Sequence, residues 1–269
     1  MSIMAEARTS WDDDLALILD AARGAGEIAN RFFGHEPEVW WKNEGRSPVS
    51  AADFAANDHL QSVLLKARPD YGWLSEETDD DDTRLSRKTV FVIDPIDGTR
   101  AFIAGKATWC VSVAVVYQGR PVAGVLVAPA LNEEFSAAAG GPALKNGVSI
   151  TVGSVGDDGE LVLAADERIV NRLTTDLRIR RVSHVPSLAY RLAMAADGRI
   201  DGTIVKADSH DWDLAAADLI LERAGGALTD LQGRPLSYNR QAVSHGVLLA
   251  GTTEARQALL PHLLTGAAG

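Results

Sequence analysis

Cysteine is almost missing: the 269-residue chain has one, Cys110. That excludes a disulfide framework and a cysteine-based zinc site, and it reads as a reducing compartment. Cys110 itself, next to Trp109, reads as core rather than nucleophile. Long apolar runs are missing as well. No stretch reaches the roughly 18 apolar residues of a spanning helix. Residues 1–8 lack the basic-then-apolar order of a secretion signal. The expected location is therefore the cytoplasm, with no membrane partner. Positive charge is scarce: 26 Lys and Arg stand against 37 Asp and Glu, a formal net charge of −11. A nucleic-acid polymer needs a basic face and is excluded as a partner. A small phosphorylated metabolite is not, because bound divalent cations invert the local sign. What is present is apolar material enough for a core, 46% of residues, so a folded enzyme-sized chain is expected.

Ser10-Trp11-Asp12-Asp13-Asp14 has the form of a capped helix start. Apolar residues then recur with helical period from Leu15 to Phe33, and Gly34-His35-Glu36-Pro37 closes the helix. A short strand over 39–42, a turn at 45–48 and a second helix over 51–67 follow. Strands are predicted over 71–74 and 89–93. The runs 111–117 and 121–127, joined by Gln118-Gly119-Arg120, form a hairpin pattern, and 133–138 adds a strand. Asp79-Asp80-Asp81-Asp82 reads as a solvated loop, since adjacent like charges repel. Glycine-rich stretches at 140–142 and 153–159 place a boundary near residue 150. Beyond it strand and helix alternate: a strand over 161–165, a helix from 167, a helix over 187–196, a strand over 202–205, a helix over 211–224 and a strand over 227–229. The fold class expected is α/β, an α+β half over 1–150 and an α/β half over 151–269.

The most informative stretch is Val90-Phe91-Val92-Ile93-Asp94-Pro95-Ile96-Asp97-Gly98-Thr99. A buried strand ends in Asp94, turns at a proline, and presents Asp97 three residues later. Such an oxygen cluster suits Mg²⁺, which takes carboxylate, carbonyl and water ligands. Gly98 allows close backbone approach to a phosphate, and a helix beginning near Thr99 would turn its amides the same way. A plain strand-to-turn connection explains Asp-Pro and Asp-Gly equally. Asp211-Trp212-Asp213 likewise reads as a helix start with acids in its first turn. His184 and His210 read as lone histidines.

Asp94-Pro95-Ile96-Asp97-Gly98-Thr99 resembles the signature of the inositol monophosphatase family of metal-dependent, lithium-sensitive phosphatases. Three further segments agree in order: Lys42 through Asp53, Trp73-Leu74-Ser75-Glu76-Glu77-Thr78, and Trp212-Asp213-Leu214-Ala215-Ala216. The resemblance implies a layered αβαβα sandwich, as in the sugar-phosphatase superfamily, and a phosphoric monoester hydrolase with two or three Mg²⁺ per site. It implies that Glu76, Asp94 and the Ile96 carbonyl bind one metal, and that Asp94, Asp97 and Asp213 bind another. Thr99, backed by Asp53, orients the attacking water. The Gly98 and Thr99 amides hold the phosphate. The 151–269 half supplies Asp213 and the residues that set specificity. Relatives are commonly homodimers.

Family members hydrolyse inositol monophosphate, 3′(2′),5′-bisphosphate nucleotides, fructose 1,6-bisphosphate or histidinol phosphate. Lys206 falls where inositol enzymes place a glutamate that meets sugar hydroxyls, and a lysine suits a second phosphate better. Pro186-Ser187-Leu188, with Arg191 nearby, replaces the usual inositol-contact segment. The stretch 233–239 resembles the tail of some bacterial bisphosphate nucleotidases. These departures favour 3′-phosphoadenosine 5′-phosphate as substrate. Ser187, Arg191 and Lys206, together with Asp97, Gly98, Thr99 and Asp213, are its expected contacts, and Tyr238 is a candidate for stacking on the base. An inositol-1-monophosphatase or histidinol-phosphatase is the alternative. A phosphometabolite-binding regulator on the same fold is the non-enzymatic one, and a merely exposed Lys206 is the plain reading of that residue.

Overall fold

The structure is a computed structural model that describes residues 11–35, 38–42, 47–80, 82–156, 159–165, 167–173, 177–183 and 185–266. Ser10, Glu36, Pro37, Gly45, Arg46, Asp81 and His184, each part of a pattern above, lie outside them.

Helix α1 (Asp12–Asn30) leads into a hairpin of β1 (Val39–Lys42) and β2 (Ser47–Ser50). Helix α2 (Ala51–Ala67) follows. A seven-stranded sheet is then built in the order β3 (Gly72–Ser75), β4 (Thr89–Asp97), β5 (Cys110–Tyr117), β6 (Arg120–Ala128), β7 (Glu133–Ala138), β8 (Leu144–Lys145) and β9 (Val148–Ser149). Only β3 and β4 pair in parallel; the rest is antiparallel. The short helix α3 (Thr99–Ile103) leaves the end of β4. Gln118 and Gly119 turn β5 into β6 with φ of 49° and 80°, the positive pair that a tight hairpin requires.

The remaining elements are β10 (Leu161–Leu163), α4 (Glu167–Leu173), β11 (Ile179–Arg181), α5 (Leu188–Ala196), β12 (Gly202–Val205), β13 (Ser209–His210), α6 (Asp211–Arg223), β14 (Ala227–Asp230), β15 (Ser244–His245), β16 (Leu248–Gly251) and α7 (Thr253–Gly266). Five of these strands form a second, mixed sheet in the order β11-β10-β12-β16-β14, and β13 pairs with β15 apart from it.

Alternation along β4 explains the layering. Phe91 and Ile93 face one side and pack with Ile18, Ala22, Leu60 and Leu64 of α1 and α2. Val90 and Val92 face the other side. They share a core with Leu192 of α5, Leu214 and Ile220 of α6, and Leu228 and Leu248 of the second sheet. That sheet's outer face, Leu163, Ile204 and Leu249, is covered by Ala255 and Leu259 of α7. The result is the αβαβα sandwich. Because α5 and α6 lie between the two sheets, the halves share one core. The approach is close at Gly124 of β6, where a Cβ would come within 2.9 Å of the Ala216 carbonyl oxygen.

Candidate active site

The β4 strand differs from the pattern read in sequence. It does not stop at Asp94 but continues to Asp97. Asp94 lies opposite Ser112 and Asp97 opposite Cys110. Three steps on β4 thus match two on β5, so one extra residue is inserted as a bulge. The consequence is geometric. In a regular strand residues three apart face opposite sides. The bulge cancels that half-period and brings both carboxylates to one side.

Asp213 meets them there. Asp94, Asp97 and Asp213 each offer a carboxylate oxygen, and these atoms lie within 4.8 Å of one another. Asp94 and Asp97 are buried and Asp213 half-buried. Burial drives the Asp94 pKa well above the usual carboxylate range, with Glu76, Asp97 and Asp213 adding repulsion. Burial, then Asp213, pushes Asp97 up to about 7. Two buried carboxylates that resist ionisation, with a third carboxylate beside them, offer a set of oxygen donors that fits a hard divalent cation.

Helix starts carry the acids. Asp213 is the third residue of α6, and its Oδ2 accepts the His210 backbone N–H at 2.7 Å. Asp53 holds the same position in α2, where Oδ2 accepts from Ser50 N–H at 2.8 Å and from the Ser50 hydroxyl at 2.6 Å. Both are capping boxes. Asp97 sits at the start of α5, accepting from the Ala189 N–H at 2.6 Å and the Leu188 N–H at 3.3 Å. The positive ends of three helices therefore converge on the acids and offset part of their mutual repulsion.

Thr99 bridges two of these parts. Its hydroxyl lies 3.2 Å from Asp53 Oδ1 and 3.0 Å from the Ile96 carbonyl oxygen, and donates to one or the other. Burial pushes Asp53 up to about 6, against the lowering effect of Ser50. Gly98, with φ of 93°, makes the turn into α3. A Cβ there would lie 3.0 Å from the Ser187 Cβ, so the position needs glycine for both conformation and space.

Two adjoining clefts open over the acids. One, about 400 Å³, is lined by Pro48, Glu76, Asp94, Ile96, Asp97, Gly98, Thr99, Arg100, Pro186 and Asp213. Glu76 thus faces the same space, although it is not one of the converging trio. The second, about 460 Å³, shares Asp97, Arg100, Pro186 and Asp213 and runs on past Arg191, Lys206 and Ser209. Arg191 is largely buried. One Nη donates to the Val185 carbonyl at 3.3 Å, and its Nε has no partner. Lys206 is exposed at the edge of that cleft.

Two expected contacts do not face the clefts. Ser187 is 0% exposed. Its hydroxyl donates to Asp97 Oδ2 at 2.5 Å and accepts the Tyr190 N–H at 3.1 Å. It supports Asp97 and caps α5 rather than meeting a substrate. Tyr238 is 1% exposed and its hydroxyl donates to Asp218 Oδ2 at 2.8 Å. A ring enclosed in the shared core cannot stack on a base. The acidic run is not wholly solvated either, since Asp80 pairs with the buried Arg84. Sequence reading passed over Arg100, Ser50 and Ser209. The Ser50-x-x-Asp53 spacing was a legible capping signal. Ser209 had none.

The inositol monophosphatase family profile matches residues 11–265. The chain belongs to that family. Its members are metal-dependent phosphoric monoester hydrolases that use Mg²⁺, and this chain is one of them. It is 31% identical over 257 residues to an inositol-1-monophosphatase of Mesorhizobium japonicum, covering 91% of this chain and 94% of the relative. A histidinol-phosphatase of Chlorobaculum parvum is 30% identical over 231 residues, with 82% and 87% covered. Among solved structures, the extragenic suppressor protein SuhB of Bartonella henselae superposes with a TM-score of 0.79 at 28% identity, covering 93% of this chain and 97% of that one. An inositol monophosphatase from Anabaena gives 0.76 at 26% identity, with 94% and 96% covered. Among the described residues, no helix is long and apolar enough to cross a membrane.

Proposed function

We propose that this family member removes one phosphate from a small ester that carries a second anionic group, a 3′(2′),5′-bisphosphate nucleotide such as 3′-phosphoadenosine 5′-phosphate. The observation that carries the reading is Arg191. A largely buried guanidinium with an unpartnered Nε is costly unless an anion completes it. It lines the cleft that runs on from Asp97 and Asp213, with Lys206 and Arg100 on the same wall. Asp97 is near enough to favour the Arg191 charge, but a neutral polyol ring or a cationic amine would bring it no second anion.

In this reading Glu76, Asp94 and the Ile96 carbonyl hold one Mg²⁺, and Asp94, Asp97 and Asp213 another. The ions supply charge neutralisation at the transferring phosphoryl group and make water more acidic. The Gly98 and Thr99 amides face the phosphate oxygens. Thr99 accepts a hydrogen bond from the attacking water and, by rotating its own O–H toward Asp53 Oδ1, passes a proton on as the new P–O bond forms. Asp53, with its pKa pushed up to about 6, is matched to receive a proton near neutral pH. The old ester P–O bond breaks opposite, and the nucleoside oxygen leaves and takes a proton from solvent water. Arg191 and Lys206 hold the phosphate that is not cleaved. Inhibition by Li⁺, a homodimer and a cytoplasmic location belong to the same reading.

The test compares phosphate release from the bisphosphate nucleotide, inositol 1-phosphate and histidinol phosphate with Mg²⁺ present. Arg191→Met and Lys206→Glu should raise KM for the bisphosphate by about tenfold or more, the loss of a charge-assisted bond, and leave KM for inositol 1-phosphate nearly unchanged. Equal effects on both esters overturn the bisphosphate assignment. Faster turnover of inositol 1-phosphate or histidinol phosphate would instead select the activity for which the relatives are named.

A further inference from the structure

Glu76 and Asp213 come from two stretches of chain that the folded molecule must hold at a fixed distance. Glu76 leads into the loop between β3 and β4, and Asp213 rides on the first turn of α6. One side chain joins the two. Arg84 lies in that loop with its side chain 0% exposed. Its Nε donates to Asp80 Oδ1 at 2.9 Å and its Nη2 to Asp80 Oδ2 at 2.5 Å, a fork onto one carboxylate. The other arm, Nη1, crosses to the second half of the chain. There it donates to Asn239 Oδ1 at 2.8 Å and to the Arg240 carbonyl at 3.0 Å. Asn239 in turn donates from Nδ2 to the Arg84 carbonyl at 3.3 Å.

The link continues to the metal side of α6. The Asn239 N–H donates to Asp211 Oδ2 at 2.7 Å, and Asp211 Oδ1 is 2.7 Å from His245 Nε2. Asp211 is the first residue of α6 and is fully buried. Among the other polar ties between the halves, Lys145 to Asp197, Arg199 to Glu133 and Arg120 to Glu222 lie at other strands, the α5 start bonds Asp97, and the Ser112 hydroxyl of β5 donates to the Trp212 carbonyl at 3.2 Å.

We infer that Arg84 is a positioning residue for the metal centre: it fixes the Glu76 loop against the start of α6, so that Glu76 and Asp213 keep the separation at which Mg²⁺ binds. The inference rests on the metal assignments made under Proposed function. A guanidinium is suited to the task because its planar fork engages Asp80 on one edge and two acceptors across the interface on the other. A lysine can keep the charge beside Asp80 but cannot span both. Nothing in the Arg84 chain touches a cleft over the acids, so the effect on substrate contacts is indirect.

The experiment is Mg²⁺ binding by titration calorimetry on the full chain, with folding checked by circular dichroism. Two variants are used. Arg84→Lys keeps Asp80 paired. Asn239→Gly removes the side-chain acceptor, while glycine accepts the positive φ of 56° found there and keeps the N–H to Asp211. Arg84→Lys should weaken Mg²⁺ binding by about tenfold, comparable to removal of an outer-shell partner. Asn239→Gly should weaken it in the same direction by less. KM for the phosphate ester at saturating Mg²⁺ should stay at the wild-type value in both. Folded variants with wild-type Mg²⁺ affinity overturn the inference, as does a drop in melting temperature with no change in affinity. Should Arg84→Lys fail to fold, Asn239→Gly decides alone. A wild-type chain that binds no Mg²⁺ instead overturns the metal assignments themselves, an outcome distinct from either.

Discussion

At the scale of single residues, the proposed proton path is short and consists of Thr99 and Asp53. Thr99 can be shortened without opening the α2 cap that Asp53 closes. Thr99→Ala leaves the acids in place but deletes the hydroxyl that stands 3.2 Å from Asp53. Its kcat should fall by about a hundredfold, the usual contribution of a positioned proton-transfer group, while KM and Mg²⁺ affinity change little. Thr99→Ser should recover most of the loss. A Thr99→Ala enzyme of near wild-type kcat would remove Thr99 from the mechanism. These two residues were legible in sequence through the motif alone. Ser187 was misread for a physical reason: sequence shows that a hydroxyl is present, not which way it points. Here it is turned inward, onto Asp97.

At the scale of elements, two local devices deliver the carboxylates. Capping boxes aim Asp53 and Asp213, and a bulge in β4 brings Asp97 round to the side of Asp94. The Ser50-x-x-Asp53 box can be read from spacing. The bulge cannot, because it is defined by the partner strand β5 and not by β4 itself. The close approach of α6 to β6 is likewise a pairwise property. Gly124→Ala would bring a Cβ to 2.9 Å from the Ala216 carbonyl oxygen. Main-chain atoms on both sides cannot yield cheaply, so we expect a loss of about 1–3 kcal/mol in stability, measured by denaturant unfolding. Displacement of α6 should also weaken Mg²⁺ binding, since Asp213 rides on it. Unchanged stability would mean that the two elements are not held as closely as described.

For the whole molecule, the acids make the metal-free fold sensitive to pH. Asp97 is raised to about 7 in the folded state, whereas an unfolded aspartate titrates near pH 4. Between those values the folded chain binds more protons than the unfolded one. Stability without metal therefore falls as pH rises through that window and levels off above it. Asp94 is raised as well and acts in the same direction. Mg²⁺ binds the ionised form, so the rise in melting temperature on adding it should be larger at about pH 8 than at about pH 5. EDTA should reverse it. A pH-independent Mg²⁺ shift would separate metal binding from these acids.

The amino-acid sequence by itself determined many of the elements and the kind of chemistry. Strand alternation, helical period and turn residues are local, so α1, α2, the β5–β6 hairpin, α5 and α6 follow from neighbours along the chain. The oxygen-rich motif already pointed to cation-assisted chemistry, and the net charge of −11 argued against a nucleic-acid polymer as partner. The tertiary structure alone decided three things. It set the bulge that turns Asp97 to the side of Asp94, the burial that directs Ser187 and Tyr238 into the interior, and the bonds through which Arg84 joins the Glu76 loop to α6. Each depends on atoms far apart in sequence, and no local pattern encodes a distance between segments that have not yet met.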